Sequence, residues 1–351
     1  MKRLVRVSVV VCLSVAGVAC AAPQQMKLWR QIDIERCKGS FICLGDLNSD
    51  RRVDFLLYRE GPMTVPGYLA AVDHDGKRLW ELGDHTIEKH RGDGAWNEPA
   101  LRGIPFIYDI NQDGKMEVVT EFWKDGKPWI CVLEGNTGRV LEQRESPFDL
   151  DVRGGRRSRC HPVGRVAYPQ GRAGKPAIVL KYGASNHVPC LAVALDPQLI
   201  EMWRLAASKH AMGHVPSVDD VDDDGRDEII FGTLLADESG GTLWEKHVDR
   251  HADCTAIADV HPAPGRELLV SVCSTGPAYC LAAEVLDWGE TKSHLAVQAF
   301  AVDLCADSRE ELVLYQPYNG KAILIFTQPD SDGAEKPYVH EKDAYNIRSY
   351  F

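Results

Sequence analysis

Beyond its first twenty residues the sequence has no apolar run of transmembrane length. The longest one, from Val7 to Ala19, is too short for a permanent bilayer span. No amphipathic helical pattern exceeds two turns, which argues against helical bundles and helix-covered sheets. Positive charge is also scarce: 40 Lys and Arg stand against 51 Asp and Glu, a net charge of −11 over 351 residues. That balance speaks against nucleic acid as a partner and suits a protein that binds divalent cations. It suits a polyanionic substrate only where a cleft is locally basic or a metal bridges the charges.

The N-terminus reads as a processing segment. Lys2, Arg3 and Arg6 precede the apolar run, and Ala19-Cys20-Ala21 follows it, the layout of a secretory signal with an Ala-x-Ala cleavage site. Residues 1–21 are therefore expected to be a signal peptide, and 26–351 a single domain exported to the periplasm or beyond. A lipoprotein anchored through Cys20 is the alternative. Cleavage removes three positive charges and takes the net charge to −14. Nine cysteines remain, and export permits disulfides. Cys37/Cys43 and Cys273/Cys280 are near enough in sequence to bridge, although spacing does not establish pairing.

What the chain has is a recurring acidic turn. In Asp220-Val221-Asp222-Asp223-Asp224-Gly225-Arg226-Asp227-Glu228 carboxylates fall at positions one, three, five and nine, and an apolar strand begins at once. Oxygens at this spacing point inward when the chain curls, which suits a hard cation such as Ca²⁺. A plain Asp-rich turn without metal is the simpler reading of any single copy. The pattern recurs, however. Asp46, Asn48, Asp50 and Asp54 repeat it, as do Asp109, Asn111, Asp113 and Glu117. Eroded copies begin at Asp259 and Asp303, and a sixth unit around Tyr168 keeps the shape without the acids.

A second strand pair with a tight turn follows most copies, as in Tyr68–Val72 and then Asp75–Trp80. Each unit thus reads as four short strands in roughly 40–60 residues, the size of a propeller blade. The expected fold is all-β: a β-propeller of six or seven, at most eight, four-stranded blades with Asp-rich calcium loops. About three structural Ca²⁺ sites follow, as scaffold and not as catalysis. Lys27-Leu28-Trp29-Arg30 resembles the last strand of a unit without its partners, and is expected to complete the final blade.

Ordered stretches along the chain carry a family resemblance. They are Phe106–Val119, Gly164–Tyr168 with Ala177–Leu180, Gly213–Val218 leading into the Asp220 turn, Asp303-Leu304 with Ser308–Val313, and Ala344-Tyr345-Asn346. Together they resemble the rhamnogalacturonan lyases of polysaccharide lyase family 11. That resemblance implies a calcium-containing propeller that cleaves a pectin backbone by β-elimination. It also implies a catalytic role for Lys292, matched through Thr291-Lys292, and a substrate contact for Tyr345. The family's N-terminal sandwich has no counterpart here. The Ser271–Thr291 interval is short, and Gly276–Glu284 has no Arg where the family uses one.

β-Elimination from a uronide needs a neutralised carboxylate and a base for the C5 proton. Besides Lys292, His214 and His251 are candidate bases. Arg153 and Arg157, with Arg156 and Arg159, form a candidate cationic rim, and Trp96 a sugar-stacking surface. Each has a plain alternative as a solvated loop side chain. His247, His251 and Cys254 have a zinc-ligand spacing, but not on a helix, so Zn²⁺ is not expected there. The sequence supports a monomeric, exported lyase acting on an acidic polysaccharide. The alternative is a non-catalytic calcium propeller that binds glycan or a protein partner.

Overall fold

Short runs rich in Val, Ile, Leu, Phe and Tyr alternate with Asp- and Gly-containing turns, and each run forms a strand. The computed structural model describes residues 27–37, 41–61, 65–87, 104–147, 163–182, 190–207, 212–245, 252–258, 267–272, 298–302, 304, 311–315 and 322–327. Among these residues the chain is all-β, with one short 3-10 turn at Glu35–Cys37.

The strands come in groups. After β1 (Lys27–Asp33) comes a sheet of β2 (Phe41–Gly45), β3 (Asp54–Glu60), β4 (Pro66–Val72) and β5 (Arg78–Gly83). A second sheet contains β6 (Phe106–Tyr108), β7 (Glu117–Lys124), β8 (Lys127–Glu134) and β9 (Val140–Glu145). A third contains β10 (Val163–Ala167), β11 (Ala177–Tyr182), β12 (Cys190–Leu195) and β13 (Glu201–Ala207). The fourth contains β14 (Met212–Asp219), β15 (Glu228–Gly232), β16 (Leu234–Ala236) and β17 (Thr242–Glu245). A pair follows, β18 (Ala252–Ala258) with β19 (Glu267–Val272), and then β20 (Gln298–Val302), β21 (Glu311–Tyr315) and β22 (Ala322–Thr327). Within each sheet consecutive strands pair antiparallel, as short turns require.

The last sheet has the order β1-β22-β21-β20, so the first strand of the chain is its outer member. Lys27 lies opposite Thr327 and Asp33 opposite Ala322, with a bulge between Leu28 and Arg30. The orphan strand expected at Lys27–Arg30 therefore pairs as the sequence suggested.

Burial follows strand position. All of β2, β4, β11 and β15 is buried, apolar throughout except for Lys181 in β11 and Glu228 at the start of β15. The outer β9, β13 and β17 are largely exposed. Between the sheets lie separate apolar layers. Phe41, Cys43, Leu56 and Tyr58 of the first sheet pack with Ile107, Val118 and Leu133 of the second. Ile130 and Val132 of the second meet Ile178, Leu180 and Val193 of the third. Val179 and Ala192 of the third meet Ile229 and Phe231 of the fourth. The opposite face of the first sheet, through Ile42, Leu44, Phe55 and Leu57, packs on Ile32, Val313, Ile323 and Ile325 of the last. First and last sheets are thus in contact, and each fully buried Leu, Ile or Phe contributes about 1.5–3 kcal/mol.

Polar latches join neighbouring sheets at the outer strands. Trp80 of β5 donates Nε1–H to the carbonyl of Gly135 at 2.6 Å, and Trp203 of β13 to that of Glu238 at 3.1 Å. Arg30 of β1 donates to the carbonyl of His74 at 2.8 Å, and Arg144 of β9 to that of Leu199 at 2.8 Å. Each acceptor lies in the next sheet's outer hairpin.

Cys37 and Cys43 do not bridge. Cys37 faces the layer between first and last sheets, and Cys43 the layer on the other side of β2. Cys43 donates its Sγ–H to the carbonyl of Pro105 at 3.2 Å. Cys37, Cys43, Cys131 and Cys190 are all buried thiols, and burial pushes the Cys131 thiol up to about 12. Cys273 and Cys280, like residues 1–21, lie outside the described residues.

Candidate metal centres

The three full acidic turns curl in the same way. Their fourth and sixth residues are left-handed: Ser49 and Arg51 (φ 63° and 68°), Gln112 and Gly114 (62° and 85°), Asp223 and Gly225 (61° and 88°). The curl brings the first carboxylate under the fifth and sixth amides. Asp46 accepts from Asp50 N–H at 3.0 Å and Arg51 N–H at 2.9 Å. Asp109 accepts from Asp113 and Gly114 at 3.0 and 2.9 Å, and Asp220 from Asp224 and Gly225 at 3.0 and 2.9 Å.

The remaining positions fold inward on the same scaffold. Asn48, Asn111 and Asp222 each accept from the fifth amide, at 2.9, 2.8 and 3.2 Å. The ninth carboxylate opens the next strand and reaches back to the second amide. Asp54 accepts from Leu47 at 2.9 Å, Glu117 from Ile110 at 3.0 Å, and Glu228 from Val221 at 2.8 Å. In the third turn, oxygens of Asp220, Asp222 and Asp224 lie within 4.8 Å of one another. Each carboxylate oxygen has a second lone pair beyond the one its amide uses. The second and third turns present oxygen donors only, which fits a hard cation.

Crowded acids at these turns raise one another's proton affinity. Burial, followed by the charge of Asp50, pushes Asp54 up to about 8. Burial and then Asp113 push Glu117 up to about 7. Burial also raises Asp46 and Glu228. Asp224 goes the other way, lowered by hydrogen bonds from Arg226. Converging buried carboxylates of this kind are the arrangement that a bound dication neutralises.

The eroded units keep the ninth position or replace it. Glu311, first residue of β21, accepts from Leu304 N–H at 2.6 Å and from Thr327 Oγ1–H at 2.8 Å. The unit without acids borrows from its neighbour. Tyr168 N–H donates to Asp227 Oδ2 at 2.7 Å, and Asp227 N–H donates to Tyr168 O at 3.2 Å. Arg172 stacks 4.5 Å from the Tyr168 ring centre and lies 3.6 Å from Asp227. Position eight of the third turn thus holds the preceding unit.

Similarity to known proteins runs through this region. Residues 121–284 match the family described as rhamnogalacturonan lyase family 11, C-terminal domain. Rhamnogalacturonan endolyase YesW of Bacillus subtilis is 26% identical over 275 residues, 64% of this chain and 42% of that protein. The exolyase YesX of the same organism is 24% identical over 270 residues, 63% and 42% of the two chains. This chain resembles the rhamnogalacturonan lyases of family 11.

The solved structures of these lyases share the fold. YesW superposes with a TM-score of 0.53 at 19% identity, covering 86% of this chain and 60% of that one. The family 11 lyase of Bacillus licheniformis gives 0.53 at 20% identity, covering 84% and 61%. The chain spans 42% of the length of the curated family 11 lyases it matches. Of the sequence-predicted lyase residues, Arg153, Arg157, His214 and His251 fall inside the matched segment; Trp96, Lys292 and Tyr345 fall outside it.

All twelve predicted metal-ligating positions are among the described residues, nine in turns and Asp54, Glu117 and Glu228 at the first residue of the following strand. His214 is in β14; Lys292, His251, Tyr345, Arg153, Arg157 and Trp96 lie outside the described residues. Sequence reasoning missed two site residues. One is Asp227, whose role across the sheet boundary has no local signal. The other is His74, in the β4–β5 hairpin, which lies against Asp50 and Asp54. The Phe55–Val72 pairing carries that hairpin back over Asp54, so only the strand register reveals it.

Proposed function

We propose that the chain is an exported carbon–oxygen lyase that cleaves a rhamnose–uronic acid polymer, rhamnogalacturonan first, by β-elimination. The match of residues 121–284 to the C-terminal domain of family 11 lyases carries this reading. The scaffold we propose is a β-propeller of six or seven blades, with Ca²⁺ in the turns at Asp109 and Asp220 and a dication in the turn at Asp46. Serial face-to-face packing of meander sheets, with the first sheet on the last, supports it.

The chemistry asks for a cationic group at the uronate carboxylate and a base at C5. The base takes the C5 proton, the C4–O bond breaks, the leaving oxygen is protonated, and an unsaturated uronide remains. Lys292 is the first candidate for this work, with His214 and His251 next. Arg153 and Arg157 would hold the uronate, and Tyr345 and Trp96 the sugar face. Incubation with rhamnogalacturonan and Ca²⁺ should give the ultraviolet absorbance of an unsaturated uronide, and Lys292→Ala should abolish it. Silence across a panel of uronic-acid polymers would end the enzyme reading.

One observation favours the second reading, a glycan- or protein-binding propeller without activity. Gly276–Glu284 contains no arginine where the family uses one. Retarded migration in polysaccharide-containing gels without any absorbance would select it.

A further inference from the structure

We propose that the first acidic turn, unlike the other two, is a mixed imidazole–carboxylate site for a first-row transition-metal dication, built by His74 with Asp50 and Asp54. His74 is 7% exposed, and its Nδ1 makes no hydrogen bond. That nitrogen lies 3.8 Å from Asp50 Oδ2 and 3.9 Å from Asp54 Oδ1. Two ligand atoms each about 2.1 Å from one ion stand about 3–4 Å apart, so this spacing already suits a shared metal. The backbone holds all three in place. His74 N–H donates to Asp54 Oδ1 at 3.2 Å, and Arg52 N–H donates to Asp50 Oδ1 at 2.9 Å.

The Nε2 of His74 lies 2.8 Å from Asp75 Oδ2. Neither imidazole nitrogen has a hydrogen-bond partner, and a neutral ring with its proton on Nε2 turns the Nδ1 lone pair toward Asp50 and Asp54. Asp75 also holds the two nearby cations, Arg52 Nη1 at 3.3 Å and Arg30 Nη1 at 3.5 Å. The equivalent hairpin residues of the second and fourth sheets are Gly135 and Glu238, so no imidazole is offered there. Imidazole nitrogen suits zinc-like ions, whereas Ca²⁺ takes oxygen, and the donor set therefore separates this turn from its copies.

The inference stands on the first turn's own side chains, and the lyase reading can fail without it. Its test is calorimetric titration of the EDTA-stripped full chain with Zn²⁺ in excess Ca²⁺, comparing wild type with His74→Leu. Wild type should take up one Zn²⁺ more than the variant, while Ca²⁺ uptake at the turns at Asp109 and Asp220 is the same in both. The difference also removes any contribution from other histidines and cysteines. Equal Zn²⁺ uptake by wild type and His74→Leu overturns the proposal, as does displacement of the extra ion by Ca²⁺. Should His74→Leu not fold, anomalous scattering at the zinc edge from Zn²⁺-soaked wild-type crystals decides. A peak between His74 Nδ1 and the Asp50 and Asp54 carboxylates supports the site; none there overturns it.

Discussion

At position six of the acidic turn, two copies use glycine and one uses arginine, all left-handed. A Cβ on Gly114 or Gly225 would meet nothing within 4 Å, so only the backbone conformation resists a side chain there. Gly225→Ala should therefore cost about 1 kcal/mol. Gly138, also left-handed at φ 68°, differs: its Cβ would sit 2.6 Å from the rigid ring of Trp80. Gly138→Ala adds overpacking to the strain and should cost about 3 kcal/mol. Denaturant midpoints measure both, and the Gly138 loss should be the same with and without Ca²⁺. Equal losses for the two variants would refute the distinction. At this scale the turn geometry was legible because positions one to nine are local. Asp227 and His74 were not, because each acts across a strand register that sequence spacing does not encode.

Among elements, β1 shows how a local pattern reports a distant partner. Lys27–Arg30 looks like a closing strand, and it pairs with β22 almost three hundred residues away. Its Ile32 is buried in the layer between first and last sheets, and Arg30 ties that sheet to the first-sheet hairpin. Deleting residues 27–33 would bare the β22 edge and its ladder of unpaired amides and carbonyls. The truncated protein should melt lower and self-associate at rising concentration, read by thermal unfolding and size-exclusion chromatography. An unchanged melting temperature would mean that β1 is not a working part of the last sheet. The strand–turn–strand rhythm was readable because acids, glycines and apolar runs recur in one order. The cysteine pairing was not. Alternation along β2 sends Cys43 into one layer while the turn after β1 sends Cys37 into another, and sequence proximity hides that.

For the whole molecule, the three turns lie where a strand leaves one position in a sheet and enters the next, so their order governs how the sheets are held. Burial pushes the carboxyls up to about 8 at Asp54 and about 7 at Glu117, a cost that a neighbouring dication would offset. An ion bound only by the folded chain stabilises it by about 2.7 kcal/mol per site when its concentration is a hundred times the dissociation constant. Chelation with EDTA should thus lower the melting temperature by several degrees, and added Ca²⁺ should restore it. Asp113→Asn and Asp224→Asn should each remove part of that response, because each acts on a separate turn. Asp227→Asn should behave differently. It disturbs the bond to Tyr168, not a calcium ligand, so it should lower stability equally with and without Ca²⁺. A calcium-independent melting temperature in the wild type would mean that these turns hold the sheets through amide bonds alone.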